Sequence, residues 1–335
     1  MPMRPTALFA VDDRNLPLLF PPDVLARLTE LVDIDPTITV TDFAAPALAG
    51  RLAEVEFLVT GWGCPPITPD VLDALPRLRA ILHTAGTVKK LLSPAVWERG
   101  ITVSTAADAN ALPVAEYTLG MILLCGKDVF ALRDAYRETG APPRGLVVRD
   151  FGNAGPRVGI IGASRIGRRV IELLRPFDHR VLLHDPYVDE DEARALGVRA
   201  VSLEELLTSC AIVSVHAPAT PETRHLLDAE RLALMPDGAV LINTARGSLV
   251  DTEALVKELT TGRLRAVLDV TEPEPLPADS PLLRLPNVFV TPHVAGSLGN
   301  ELRRLGLSMV DEIERLLDGS PPRHRVVLGE LDRTA

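Results

Sequence analysis

The sequence predicts an α/β protein: two doubly wound parallel-sheet domains, the second larger than the first. Three observations predict it. The chain has 335 residues, and one domain takes roughly 100–200. Short β-branched apolar runs alternate with amphipathic stretches along most of its length. Those runs are apolar throughout instead of alternating with polar residues, which marks strands covered on both faces of a parallel sheet.

In chain order, "TALFAV" is the first strand, stopped by Asp12 and Asp13. "EFLVTG", "LRAILHTAG" and "ITVST" are the next three. Helices are expected around Pro22–Val32, Pro69–Leu75 and Pro94–Glu98, opened by proline, whose missing N–H costs nothing there. "LPVAEYTLGMILLCGKDVFAL" carries Glu116, Lys127 and Asp128, so it reads as a buried helix and not a membrane span. Ala141–Pro156, rich in proline and glycine, reads as an irregular arm. Six strands follow: "RVGIIG", "RVLLHD", "AIVSVHA", "AVLINTA", "AVLDV" and "VFVTPHV". Helical stretches such as "RIGRRVIELLRPF", "SLEELLTSC" and "VDTEALVKELTTG" separate them, the pattern of a dinucleotide-binding fold. A last amphipathic helix, "NELRRLGLSMVDEIERLLDG", closes the chain. The residues alone leave open whether it returns to the first domain.

Composition excludes several classes. The net charge of −10 argues against nucleic acid or anionic membranes as partners, since both need an excess of cations. Cys64, Cys125 and Cys210 lie far apart with no C-x-x-C, which points to neither a metal site nor a redox pair. Unpaired cysteines fit a reducing compartment, and "TALFAV" is too short for a signal segment, so a cytoplasmic location is expected.

The run from Gly162 to Gly167, "GASRIG", approximates the turn that feeds a strand into a helix facing a pyrophosphate. Gly162 serves the turn and Gly167 the close packing of helix on sheet, while Ser164 stands where a middle glycine is usual. The same hexapeptide also suits a strand–turn–helix junction with no ligand. Asp185 ends the next strand, 18 residues after Gly167. It matches the acidic acceptor for the ribose hydroxyls and would repel a 2′-phosphate, favouring NAD over NADP. A turn aspartate before Pro186 is the alternative.

Four further residues follow strand ends: Arg246 in "LINTARG", Asp269 and Glu274 in "LDVTEPEP", and His293 in "VTPHVAG". Ligands of open α/β sheets sit at that edge. A histidine suits proton transfer to a ketone oxygen, a carboxylate fixes its tautomer, and a guanidinium binds a carboxylate and polarises a carbonyl. Each also has a plain structural reading: a packed strand-end histidine, an extended "EPEP" loop, an arginine capping its turn.

Through "VGIIGASRIGRRV", "SVHAPATPETRHLL", "LMPDGAVLINTARGSLVDTEAL", "LDVTEPEPLPADSPLLRLPNVFVTPHVAG" and "ANALPVAEYTLGMIL", the chain resembles the D-isomer-specific 2-hydroxyacid dehydrogenases. The resemblance covers most of residues 80–300; the first 75 match in pattern only. It implies a Rossmann NAD-binding domain, 112–296, inserted into a smaller flavodoxin-like substrate-binding domain, 1–111 and 297–335. It implies Arg246 on the substrate's carboxylate and oxo group, His293 as acid/base with Glu274 as partner, and Asp269 on the nicotinamide carboxamide. It implies cofactor contacts from Gly162, Ser164, Arg165, Ile166, Gly167, Asp185, His216, Ala217, Pro218, Thr244, Ala245, Arg246, His293 and Gly296. His216 reads equally well as a packed core residue. Ala85, Gly86 and Asn110 would receive the substrate. The resemblance implies a homodimer as well; domain closure over the substrate is expected because water must be excluded during hydride transfer, and no metal is expected.

The departures are Ser164, the "TVKKLL" loop after Gly86, and the reduced linker "RDFGNAGP". Glu274 argues against a formate oxidase. Two other functions stay open at this stage: an NADH-sensing regulatory protein with little turnover, and a phosphite-type oxyanion dehydrogenase.

Overall fold

The computed structural model describes residues 4–141 and 152–333. The chain divides into two compact units, Met1–Asn110 with Ser297–Thr334, and Ala111–Gly296.

In the first unit, strands β1 (Ala7–Ala10), β2 (Phe57–Thr60), β3 (Ala80–His83) and β4 (Thr102–Thr105) form a parallel sheet in that order. The segment Asp33–Val40 runs along the free edge of β1 through the bridges Thr6–Asp33 and Phe9–Thr39. Counted as the second strand, it makes the order 2-1-3-4-5, that of flavodoxin-like sheets. Alternation along β1 divides the core. Ala7 and Phe9 pack with Leu302, Leu305, Met309, Val310 and Ile313 of the helix Leu302–Leu317, whereas Leu8 and Ala10 pack with Leu52, Leu58 and Leu72 on the other face. This is why the strand is apolar at every position. The closing amphipathic helix thus belongs to the first unit, a question the residues alone left open.

In the second unit, β5 (Arg157–Ile161), β6 (Arg180–His184), β7 (Arg199–Ala200), β8 (Ile212–Val215), β9 (Val240–Asn243), β10 (Arg265–Leu268) and β11 (Val288–Val290) form one parallel sheet. Its order is β11-β10-β9-β8-β5-β6-β7. The strand order reverses at β5, where β6 lies on one side and β8 on the other. Val158 and Ile160 point into one helical layer and Ile161 into the other.

One local expectation needs correction. The apolar segment expected as one helix is two, Ala107–Gly126 and Val129–Thr139, because Asp128 turns left-handed at φ 49°. Ala107–Gly126 is long and apolar enough to cross a membrane, yet its Ala115, Ile122 and Cys125 pack on the sheet with Val158, Ile212 and Ile242. The two-residue strand β7 was not foreseen. The arm expected over Ala141–Pro156 falls for most of its length outside the described residues.

Candidate active site

The turn after β5 shows which of its glycines are enforced. Gly162 has φ +94°, and a Cβ there would lie 2.6 Å from the Ala217 nitrogen. A Cβ on Gly167 would lie 2.0 Å from the Gly162 oxygen. Ser164, by contrast, has φ −64° and ψ 178°, open to any residue. It is the N-cap of the helix Arg165–Leu174, and its Oγ accepts from the Gly167 amide at 3.3 Å. Serine there replaces a glycine whose special backbone freedom is not used, and its hydroxyl proton remains available to an anion. With Arg165 and Ile166 in the first helical turn, the N-terminus of this helix can hold an anion, and the backbone packed against Gly162 and Gly167 leaves room for no side chain at either.

Asp185 supports the same turn. Its Oδ2 accepts from the Ala163 amide at 2.7 Å and its Oδ1 from the Tyr187 amide at 2.8 Å. The turn-aspartate reading therefore holds, and each oxygen keeps a further lone pair for a ribose hydroxyl. The bond to Ala163 was not anticipated.

His216 is buried, its Nε2 within 2.9 Å of Ser214 Oγ, and its Nδ1 has no partner. Burial pushes this imidazole down to about 3, so it is neutral. It is a core residue whose backbone, with that of Ala217, forms the wall against Gly162. The Pro218 carbonyl accepts from Thr223 Oγ1 at 2.6 Å.

After β9, the buried Asn243 clamps its own loop. Its Nδ2 donates to the Arg246 carbonyl at 2.8 Å, and its Oδ1 accepts from the Ala245 amide at 3.0 Å. Thr244 Oγ1 lies 3.1 Å from Thr118 Oγ1. The Arg246 guanidinium donates to the Ala245 carbonyl at 2.6 Å. Burial lowers its pKa, and the negative charge of Glu274 offsets part of that. Asn243 was missed in the sequence; a polar residue ending an apolar strand was the available signal.

His293 sits in a left-handed turn with φ 56°. Its Nδ1 lies 2.6 Å from Glu274 Oε1. Because a carboxylate only accepts, Nδ1 carries the proton and Nε2 is left as the working nitrogen. Asp269 is buried, and its Oδ1 accepts from Thr291 Oγ1 at 2.6 Å and from the Val294 amide at 2.8 Å. Its Oδ2 accepts from the Ala295 amide at 2.9 Å. Arg246, Glu274 and His293 are thereby gathered at the carboxyl ends of β9, β10 and β11, and Gly296 ends the unit.

In the first unit, Ala85 and Gly86 follow β3. Asn110 Oδ1 accepts from the Ser297 amide at 2.9 Å, and its Nδ2 lies 3.9 Å from where a Cβ of Gly86 would be. These three predicted residues also stand together, with the amide nitrogen of Asn110 turned toward Gly86.

Residues 119–295 match the family described as D-isomer specific 2-hydroxyacid dehydrogenase, NAD binding domain. The chain is 32% identical over 303 residues to D-3-phosphoglycerate dehydrogenase of Methanocaldococcus jannaschii, covering 89% of this chain and 56% of that protein. Its identity to hydroxypyruvate reductase of Thermotoga maritima is 32% over 266 residues, 78% of this chain and 85% of that one. A phosphoglycerate oxidoreductase from Rhizobium etli has the same fold, with TM-score 0.81 and 27% identity over 97% of this chain and 99% of that one. The chain spans 48% to 56% of the length of the phosphoglycerate dehydrogenases in Mycobacterium tuberculosis and Methanocaldococcus jannaschii.

Proposed function

The chain belongs to the D-isomer specific 2-hydroxyacid dehydrogenase family, and from that premise we propose that it interconverts a small 2-oxo acid and its D-2-hydroxy acid with NAD(H). The observation that carries this reading is the His293–Glu274 pair beside Arg246. The nicotinamide, when bound, supplies or accepts a hydride. The remaining chemistry falls to the protein.

Residues 112–296 serve the cofactor in this reading, and 1–111 with 297–335 serve the substrate. The Gly162–Gly167 turn and the first turn of Arg165–Leu174 hold the pyrophosphate, and Asp185 accepts from the ribose. His216, Ala217 and Pro218 border the adenosine side, and Thr244, Ala245 and Gly296 complete the lining. The Asp269 carboxylate, with three of its four acceptor positions filled from within the protein, keeps one for the carboxamide.

Arg246 binds the substrate carboxylate and oxo oxygen, and its burial strengthens that attraction by removing competing water. Ala85, Gly86 and Asn110 add donors for the carboxylate. In reduction, His293 Nε2 gives its proton to the oxygen at C2; in oxidation it takes that proton back. Glu274 holds the Nδ1 proton in both directions and stabilises the imidazolium.

The test is a panel of glyoxylate, hydroxypyruvate, pyruvate and bulkier 2-oxo acids, followed by NADH absorbance. At least one should consume NADH. His293→Ala should lower kcat by roughly 10²–10⁴ while NADH binding persists. Tight NADH binding with no turnover of any acid would support the sensor reading instead, and phosphite-dependent NAD reduction the oxyanion reading. The intact pair favours the enzyme.

A homodimer is part of the same proposal. Leu124, Val129 and Tyr136 are exposed, 37%, 38% and 54%, along Ala107–Gly126 and Val129–Thr139, apolar surface for a second copy to cover. Light scattering should give twice the chain mass; the single-chain mass rejects it.

A further inference from the structure

Tyr117 and Thr291 have no role of their own in the scheme above, yet their hydroxyls join in a chain to the Asp269 carboxylate. Tyr117 lies on the helix Ala107–Gly126, and Thr291 directly follows β11. Tyr117 Oη is 2.7 Å from Thr291 Oγ1, which is 2.6 Å from Asp269 Oδ1. Counting protons sets the direction of both bonds. An ionised carboxylate only accepts, so the single Thr291 proton goes to Asp269. The Thr291 oxygen is then the acceptor, and Tyr117 donates to it. Burial raises the Tyr117 phenol above its ordinary value, which keeps that proton in place.

Asp269 passes the constraint on. Its carboxylate holds the amides of Val294 and Ala295, and its main-chain oxygen accepts from the His293 amide at 2.9 Å. The groups gripped are the amide of His293 and the two that follow it. A non-glycine residue at φ 56° stays there only when its surroundings hold it.

We propose that Tyr117 and Thr291 are positioning residues for His293, acting through a hydroxyl relay that fixes the Asp269 carboxylate and with it the left-handed turn. Their effect on turnover rests on the acid/base reading of His293, whereas the relay is a property of the protein without ligand. Tyr117→Phe keeps the ring and removes one donor. Thr291→Val removes the middle of the relay, and Thr291→Ser preserves it.

The experiment measures amide hydrogen exchange of the segment 291–296 in the free protein, with kcat and KM measured alongside. Exchange should rise about fivefold in Tyr117→Phe, the worth of one hydrogen bond. It should rise further in Thr291→Val and return to wild type in Thr291→Ser. The double variant Tyr117→Phe/Thr291→Val should match Thr291→Val alone, because a broken relay has nothing left to lose. The value of kcat should fall by a similar factor with KM for the 2-oxo acid unchanged. Unaltered exchange in Tyr117→Phe, additive effects in the double variant, or no rescue by serine overturns the relay. If the exchange pattern appears in a protein that reduces no 2-oxo acid, the proposed function falls and the relay stands. Turnover with unmoved exchange gives the reverse.

Discussion

Ser164 occupies extended backbone at the head of the helix Arg165–Leu174 and accepts from the Gly167 amide. Removing that acceptor in Ser164→Ala should cost about 1 kcal/mol, and Ser164→Gly only a few tenths. Gly162 behaves differently. At φ +94°, with the Ala217 nitrogen 2.6 Å from any added Cβ, Gly162→Ala should cost about 3 kcal/mol or more, since strain and overlap add. Urea midpoints of the three variants check the ranking; a Gly162→Ala no worse than Ser164→Ala would refute it. The hexapeptide alone could not separate these positions, because the need for glycine depends on backbone angles and on what lies across the turn. For the same reason Asn243, Thr291 and Tyr117 escaped notice. Their side chains act through partners set by the fold, whereas Asp185, Arg246, Glu274 and His293 stood at strand ends that the apolar runs already marked.

At the scale of elements, an apolar run writes its strand into the sequence even at an edge, as β4 and β11 do, whereas a strand of two residues or of isolated bridges does not. All ten strands the sequence marked are present, from β1 to β6 and β8 to β11. What was missed lies at edges: β7, with only Arg199 and Ala200, and Asp33–Val40, joined to β1 by isolated bridges. Helix ends were less legible, since the break at Asp128 depends on one residue's angle. Helix packing hides its own constraint. Gly306 lies in mid-helix in Leu302–Leu317, and a Cβ there would come within 1.9 Å of the Leu19 carbonyl oxygen. By propensity Gly306→Ala should gain about 1 kcal/mol. The contact is with backbone, which cannot step aside, so the overlap should win. A net loss of about 2 kcal/mol is expected from overpacking. A variant with a raised denaturation midpoint would show that the helix and the Leu19 backbone separate freely.

For the molecule as a whole, each unit holds one deeply buried neutral histidine, and the two set a common dependence on acid. In the first unit His83 has its Nδ1 2.9 Å from Thr60 Oγ1, and burial pushes it down to about 4. In the second, burial pushes His216 down to about 3. Both would titrate near 6.5 in the unfolded chain. Above that pH neither state is protonated, and folding is indifferent to these groups. Between 6.5 and 4 the unfolded chain binds protons that the folded chain refuses, so stability falls as pH falls. Each histidine contributes a slope of about 1 kcal/mol per pH unit in that window. The slope from His83 ends near pH 4, and that from His216 continues lower. Because each unit carries such a histidine, acid should weaken both together. His83→Asn, which keeps a hydrogen-bonding partner for Thr60, should flatten the dependence between 6.5 and 4 in the first unit alone. Urea unfolding at several pH values, with exchange of β3 amides reporting the first unit and β8 amides the second, would resolve the two slopes. If β3 protection falls as steeply in His83→Asn as in the parent, the acid sensitivity resides elsewhere.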